Sequence, residues 1–124
     1  MQLSRLSGRK VCERVKTKGI LWRGKHMQAR IIRGLPRNLL ENTPPCLLVG
    51  VLTSTRLHKS AVKRNRMRRR CREALRVSLK AHSSQFTAHS SQLLLLPRSS
   101  SLSQPFGEIL ADAKALISFL SARG

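Results

Sequence analysis

Cys46-Leu-Leu-Val-Gly-Val-Leu-Thr53, followed closely by Lys59-Ser-Ala-Val-Lys-Arg-Asn-Arg-Met-Arg-Arg-Arg-Cys-Arg-Glu-Ala-Leu-Arg76, decides how this chain folds. The first run is apolar nearly throughout and partly β-branched, so it reads as a strand buried on both faces that anchors a sheet. The second reads as a helix from about residue 60 to 80, with one apolar stripe of Met67, Cys71, Ala74 and Leu75 at helical spacing. That stripe must face the core. Around it, seven of the ten residues from Lys63 to Arg72 are cationic, and Asn65 is the only neutral polar one. Seven like charges within ~15 Å of helix axis repel one another, and a polyanion would remove that cost. A merely solvated helix interleaves both signs at i, i+4, whereas the first acid after Lys59 is Glu73.

Toward the amino terminus, Val11 and Val15 with Leu6 predict a helix over about residues 7–16, ended by Gly19. Met27, Ala29 and Ile31 then alternate with Gln28, Arg30 and Ile32, so one strand, or two, occupies residues 20–33. The prolines of Gly34-Leu-Pro-Arg-Asn38 and Asn42-Thr-Pro-Pro45 predict a surface loop. Toward the carboxyl terminus, residues 82–92 are Ser-rich and read as a loop or a frayed helix end, followed by a short buried strand Leu93–Leu96 and a serine-rich linker 98–103. Pro105 opens a final helix whose apolar face comprises Phe106, Ile109, Leu110, Ala113, Leu116, Ile117 and Leu120. Ala61 and Val62 fit no stripe. The order α-β-β-β-α-β-α predicts an α/β (α+β) sandwich with helices against a small sheet, one domain over residues 1–124 with its core at about 5–121. Its ends and its Ser-rich loops near 82–92 and 98–104 are expected to be flexible.

The chain has 124 residues, 40% of them hydrophobic, enough for one modest core. Twenty-five Lys and Arg against five Asp and Glu give a formal charge of +20, which points to nucleic acid. Anionic lipid is the weaker rival, because no pure apolar run exceeds four residues, Leu93–Leu96 being one, and no transmembrane span is readable. The amino terminus lacks a secretory apolar stretch, although an Arg-rich, acid-poor start has some likeness to a transit peptide. Cys12, Cys46 and Cys71 form no Cys-x-x-Cys pair, and His26, His58, His82 and His89 form no ligand pattern, so a reducing cytoplasm and no protein metal site are expected. The acids Glu13, Glu41, Glu73, Glu108 and Asp112 are scattered; Glu108 and Asp112 read as dipole partners near the start of the last helix. No glycine-rich phosphate loop and no nucleophile with its base is visible, so the chain itself binds and does not catalyse.

Ala61-Val-Lys-Arg-Asn-Arg-Met-Arg-Arg-Arg-Cys-Arg-Glu73 resembles the signature helix of the bacterial ribonuclease P protein subunit. Arg5-Leu6 with the short helix ending at Lys18-Gly19 is similar to that family's opening, Leu48-Val-Gly-Val51 to the strand before its signature, and Leu93–Arg98 to its late strand. The ordered likeness covers roughly residues 5–120. It implies a sandwich like the second domain of ribosomal protein S5 with a left-handed crossover. It also implies an accessory subunit of ribonuclease P (EC 3.1.26.5), in which a catalytic RNA with its Mg2+ ions removes the 5′ leader of precursor tRNA. The expected partners are that RNA and precursor tRNA, with no membrane and no protein partner.

Arg64, Asn65, Arg66, Arg68 and Arg69 match the motif positions that face the RNA in that family. Arg56, Lys59, Lys63 and Arg72 complete the expected RNA-binding set. Arginines fork onto phosphate oxygens, and Asn65 either bonds the RNA or caps its own helix. The family binds the single-stranded leader between its first helix and the sheet, through aromatic and basic groups. The chain departs from that pattern: Cys12 stands where Phe is common, tyrosine is absent, and aromatics are 3% of residues. Lys59 stands for a glycine and Thr55-Arg56 for paired lysines. The nearest leader candidates are Cys12, Trp22, Arg23, Lys25, Arg30 and Arg33, with plain packing an equal reading for Trp22. A ribosomal or general structured-RNA-binding protein without nuclease association is the alternative on charge and fold alone.

Overall fold

The computed structural model describes residues 2–6, 8–34, 46–81 and 90–123. Its elements are β1 (Gln2–Arg5), α1 (Arg9–Lys18), β2 (Ile20–Arg23), β3 (Met27–Arg33), β4 (Cys46–Val51), α2 (Ala61–Ala81), β5 (Ser91–Pro97), a 3-10 turn (Ser99–Leu102) and α3 (Phe106–Arg123). The expected α/β sandwich is present, with an additional first strand. The loop expected between Leu35 and Pro45, and residues 82–89 of the Ser-rich segment, lie outside the described residues.

The five strands lie in the order β1-β4-β5-β3-β2. β5 runs parallel to β4, with Val49 beside Leu93, and antiparallel to β3, with Ala29 beside Leu95. β2 and β3 form an antiparallel pair with Trp22 opposite Ala29, and β1 pairs parallel with β4. Two strands therefore occupy residues 20–33. Ser91 and Gln92, expected in a loop, begin β5.

Strand alternation sends side chains to two unequal cores. On one face, Met27, Ala29, Ile31, Leu47, Val49, Leu93 and Leu95 pack against α2 and α3. Met67, Cys71, Ala74 and Leu75 are all fully buried, so the predicted α2 stripe is the core stripe. Of the predicted α3 face, Ile109, Ala113, Leu116, Ile117 and Leu120 are buried, but Phe106 is 38% exposed because the helix begins there, beyond the edge of the packed layer. On the other face, α1 covers a smaller core of Leu6, Val15, Leu48 and Leu94. The first helix runs Arg9–Lys18, shifted toward the carboxyl end from expectation, and Gly19 ends it with its N–H on the Val15 carbonyl at 2.9 Å. A ten-residue helix cannot cover a five-stranded sheet, and this mismatch leaves an open cleft.

The serine-rich segment 98–104 carries the 3-10 turn, in which Ser101 is fully buried and donates its hydroxyl hydrogen to the Arg98 carbonyl at 2.7 Å. Asp112 does more than partner the dipole of α3. Its buried carboxylate accepts the backbone N–H of Lys25 at 3.0 Å, His26 at 2.7 Å and Met27 at 3.2 Å, so it holds the turn between β2 and β3. Gly24 is required there, since a Cβ would come within 2.5 Å of the Asp112 carboxylate and 2.6 Å of the Trp22 ring.

Candidate nucleic-acid interface

The basic helix has a defined start. The Arg64 N–H bonds the Ser60 carbonyl at 3.0 Å, and the Ser60 hydroxyl accepts the Lys63 N–H at 3.4 Å. Ser60 is thus the capping residue, as its type favours. Asn65 is inside the helix, and its Oδ1 accepts a hydrogen bond from the Arg68 guanidinium. The local-cap reading of Asn65 is therefore not what the fold uses; the Arg68 bond leaves the amide nitrogen free to donate elsewhere.

The cations of α2 divide by face. Arg64 turns back to donate to the carbonyls of His58 at 2.7 Å and Lys59 at 2.9 Å, tying down the loop before the helix. Arg70 reaches the other way, to the Leu102 carbonyl at 2.8 Å and to the Gln104 carbonyl, and so fastens the 3-10 turn ahead of α3. Arg76 pairs with Glu73 at 3.0 Å, and that hydrogen bond holds the Glu73 carboxyl below its ordinary range. Arg66, Arg69 and Arg72 are exposed and, among the described residues, have no protein partner. Their charge is available to a ligand.

Four of the expected RNA-binding residues, Asn65, Arg68, Arg69 and Arg72, form one wall of a cleft of about 820 Å³. The opposite wall is α1, through Arg9, Cys12, Glu13 and Lys16, with Arg5 at one end. Leu6, Val49, Gly50, Val51, Leu52 and Leu94 complete the lining, with Leu6, Leu52 and Leu94 giving it an aliphatic floor. Gly50 lies at the bottom, where a Cβ would sit 3.3 Å from Leu94 Cδ1, so a larger side chain would rise into the open space. The volume is within the ~300–1,000 Å³ typical of ligand sites. Six cations against one carboxylate make the cleft strongly positive, and its low-dielectric floor strengthens that field.

The remaining predicted residues are not lining this cleft. Arg56, Lys59, Lys63, Arg64 and Arg66 belong to the approach to α2 and its first turns, beside the cleft. Among the leader candidates only Cys12 is in it. Trp22 packs partly buried against the larger core on the opposite face, because its register with Ala29 sends it there. Lys25 is in the turn held by Asp112, and Arg23 ends β2. Arg30 donates to the Gly19 carbonyl at 3.2 Å, and Arg33 ends β3 beside Ser91. Missed by the sequence reading were Arg5, Arg9, Glu13 and Lys16. Arg9, Cys12, Glu13 and Lys16 recur at i, i+3, i+4 and i+7, a single helical stripe that periodicity would have shown had polar positions been tracked as closely as apolar ones.

Cys71 sits beneath the basic surface, where burial pushes its thiol up to about 11. It is a packing residue. Among the described residues no three His, Cys, Asp or Glu side chains converge to hold a metal ion, and no helix is long and apolar enough to cross a membrane.

Comparison with known proteins agrees with this architecture. No curated sequence matches the chain directly. Among solved structures, the Staphylococcus aureus RNase P protein superposes with a TM-score of 0.65 at 17% identity, over 94% of both chains. The RNase P protein from Thermotoga maritima gives 0.65 at 13% identity, over 96% of both. The family model for ribonuclease P matches residues 2–120. With the family model spanning nearly its whole length, the chain belongs to the ribonuclease P protein family.

Proposed function

We propose that this chain is the protein subunit of ribonuclease P, acting in the bacterial cytoplasm with a catalytic RNA to remove the 5′ leader of precursor tRNA. The observation that carries the reading is the cleft that joins α1, the aliphatic sheet floor and the unpartnered arginines of α2 in a member of that family. Its chemistry suits single-stranded RNA running beside a structured RNA. Arg69 and Arg72, with Arg66 on the flank, present guanidinium forks to phosphate oxygens. The floor of Leu6, Gly50, Leu52 and Leu94 offers apolar contact to base faces. With no aromatic side chain among the lining residues, stacking worth about 1–3 kcal/mol per base is replaced by weaker aliphatic contact and by charge. The exposed first turns of α2, with Lys63 and Arg66 and with Arg56 and Lys59 just before them, form the surface for the catalytic RNA.

The described residues do not fit a protein-held Mg2+ site, since no carboxylates converge. The family resemblance implies Mg2+ held with the RNA subunit, where it would supply activation of water and stabilisation of the leaving oxygen. The protein's part is to bind and orient.

Reconstitution tests this reading. A bacterial ribonuclease P RNA is assayed on precursor tRNA at Mg2+ low enough that the RNA alone is nearly silent, with and without the protein. Restored cleavage at the mature 5′ end supports the assignment. Tight RNA binding without restored cleavage, also with the cognate RNA, would leave a general structured-RNA-binding protein of the ribosomal kind.

A further inference from the structure

One side chain in the cleft has the wrong sign for a phosphate site. Glu13 lies on α1 between Arg9 and Lys16 and lines the same space as Arg68, Arg69 and Arg72. Among the described residues Arg76 pairs with Glu73 and the His26 ring lies 3.8 Å from Glu108, but Glu13 pairs with no cation, although cations stand one helical turn away on either side. It is exposed, so it is not held for packing. A phosphate would be repelled by it, and the strand's backbone is drawn instead to the arginines across the cleft. The group facing Glu13 is then a base edge.

A carboxylate accepts hydrogen bonds and donates none. Guanine offers it two adjacent donors, N1–H and N2–H, spaced for its two oxygens. Cytosine and adenine each offer one exocyclic amino group. Uracil offers a single N3–H between two carbonyls, which the carboxylate repels. On the opposite wall, Arg68 donates to Asn65 Oδ1, which orients that amide and leaves its N–H donors free. An acceptor on one wall and a donor on the other match the guanine edge, whose O6 acceptor adjoins its two donors. We infer that Glu13 is a specificity-determining residue that selects guanine at one position of the RNA strand held in the cleft. This rests on the proposed leader-binding reading.

The test uses the reconstituted holoenzyme and a pool of precursor tRNAs with randomised leaders, competed in one reaction, with relative kcat/KM read for each base at each leader position. A second series shortens the leader. The wild type should favour guanine over uracil by roughly tenfold at one position, within the range of a good bidentate base contact. Inosine, which lacks the 2-amino group, should lose most of that preference. Glu13→Gln replaces two acceptors with one acceptor and one donor, the pattern that suits adenine. The preference should therefore move from guanine toward adenine, a change that simple removal of negative charge would not produce. A flat base profile in the wild type, or an unchanged guanine preference in Glu13→Gln, with cleavage still dependent on leader length, overturns the role of Glu13 alone. Loss of any dependence on leader length overturns leader binding in the cleft, and the inference with it.

Discussion

Arg69 and Arg70 are adjacent, chemically identical and opposite in function, and replacing each by alanine separates binding from stability. Arg70 donates to two backbone carbonyls, Leu102 and Gln104, that cap the turn before α3. Hydrogen bonds to a charged group are worth about 1.5–3 kcal/mol each, and partial exposure reduces this, so Arg70→Ala should cost about 2–3 kcal/mol in total. With a urea m-value of about 1–3 kcal/mol/M, the unfolding midpoint should fall by about 1–2 M, read by circular dichroism and by Trp22 fluorescence. The salt dependence of RNA binding should stay as it is. Arg69 is exposed and, among the described residues, without a protein partner, so Arg69→Ala should change stability by no more than about 0.5 kcal/mol. Its slope of log K against log salt should flatten by about 0.7–0.9 for the lost phosphate contact. Between 50 and 200 mM salt that is roughly a threefold smaller loss of affinity. Titrations of ribonuclease P RNA across that range decide the matter. If Arg70→Ala flattens the slope as much as Arg69→Ala while leaving the urea midpoint in place, the division of α2 into a binding face and a docking face is wrong.

Asp112→Ala should strand the three backbone N–H groups of Lys25, His26 and Met27 and cost about 3–5 kcal/mol, whereas Asp112→Asn, which keeps one acceptor, should cost less; equal losses in urea melts would show that the carboxylate does not organise the turn. Cys71 has its folded pKa raised from 9.0 to about 11, so the stability it contributes is intact below pH 9 and falls as pH climbs through 11. The advantage of wild type over Cys71→Ala should therefore shrink by about 2 kcal/mol across that window, measured by denaturant titration at each pH, and a constant difference would refute it. Gly50→Val should fill the cleft floor, weakening leader-dependent binding while leaving the salt slope unchanged; a flattened slope would mean the backbone path itself had moved.

The sequence carried what depends on local pattern. The stripe Met67, Cys71, Ala74 and Leu75 was readable because residues at i, i+4, i+7 and i+8 come to one face only when the chain turns every 3.6 residues, and the alternation Met27, Ala29, Ile31 marks one face of a strand by the same logic at period two. Features that depend on distant partners were not. β1 is four residues, Gln-Leu-Ser-Arg, and is a strand only because β4 lies beside it. Asp112 has the local signature of a helix-dipole partner, yet its three donors come from a turn some 86 residues earlier in the chain. Trp22 went to the core face through a register with Ala29 that no local pattern states. Arg70 looked like its neighbours, and only the phase of α2 against the 3-10 turn separates it from Arg69. Cys12, a leader candidate from the family likeness, lines the cleft, but the rest of that wall, Arg9, Glu13 and Lys16, needed the folded helix to be seen as one surface.

The sheet order also fixes when this protein can fold. β5, the last of the five strands to be synthesised, is the middle of the sheet and joins the β1-β4 pair to the β2-β3 hairpin. Until residue 97 has left the ribosome there is no continuous layer for α2 to dock on, and its apolar stripe and dense positive charge are presented together on an unanchored nascent segment. Long-range parallel pairing of this kind closes slowly and leaves intermediates prone to unwanted association. For a chain of charge +20, the cell's own RNA is the nearest counter-surface during that interval. Synthesis rate and RNA supply thus become determinants of yield, and expression at reduced temperature together with the partner RNA should give more correctly folded protein than expression alone.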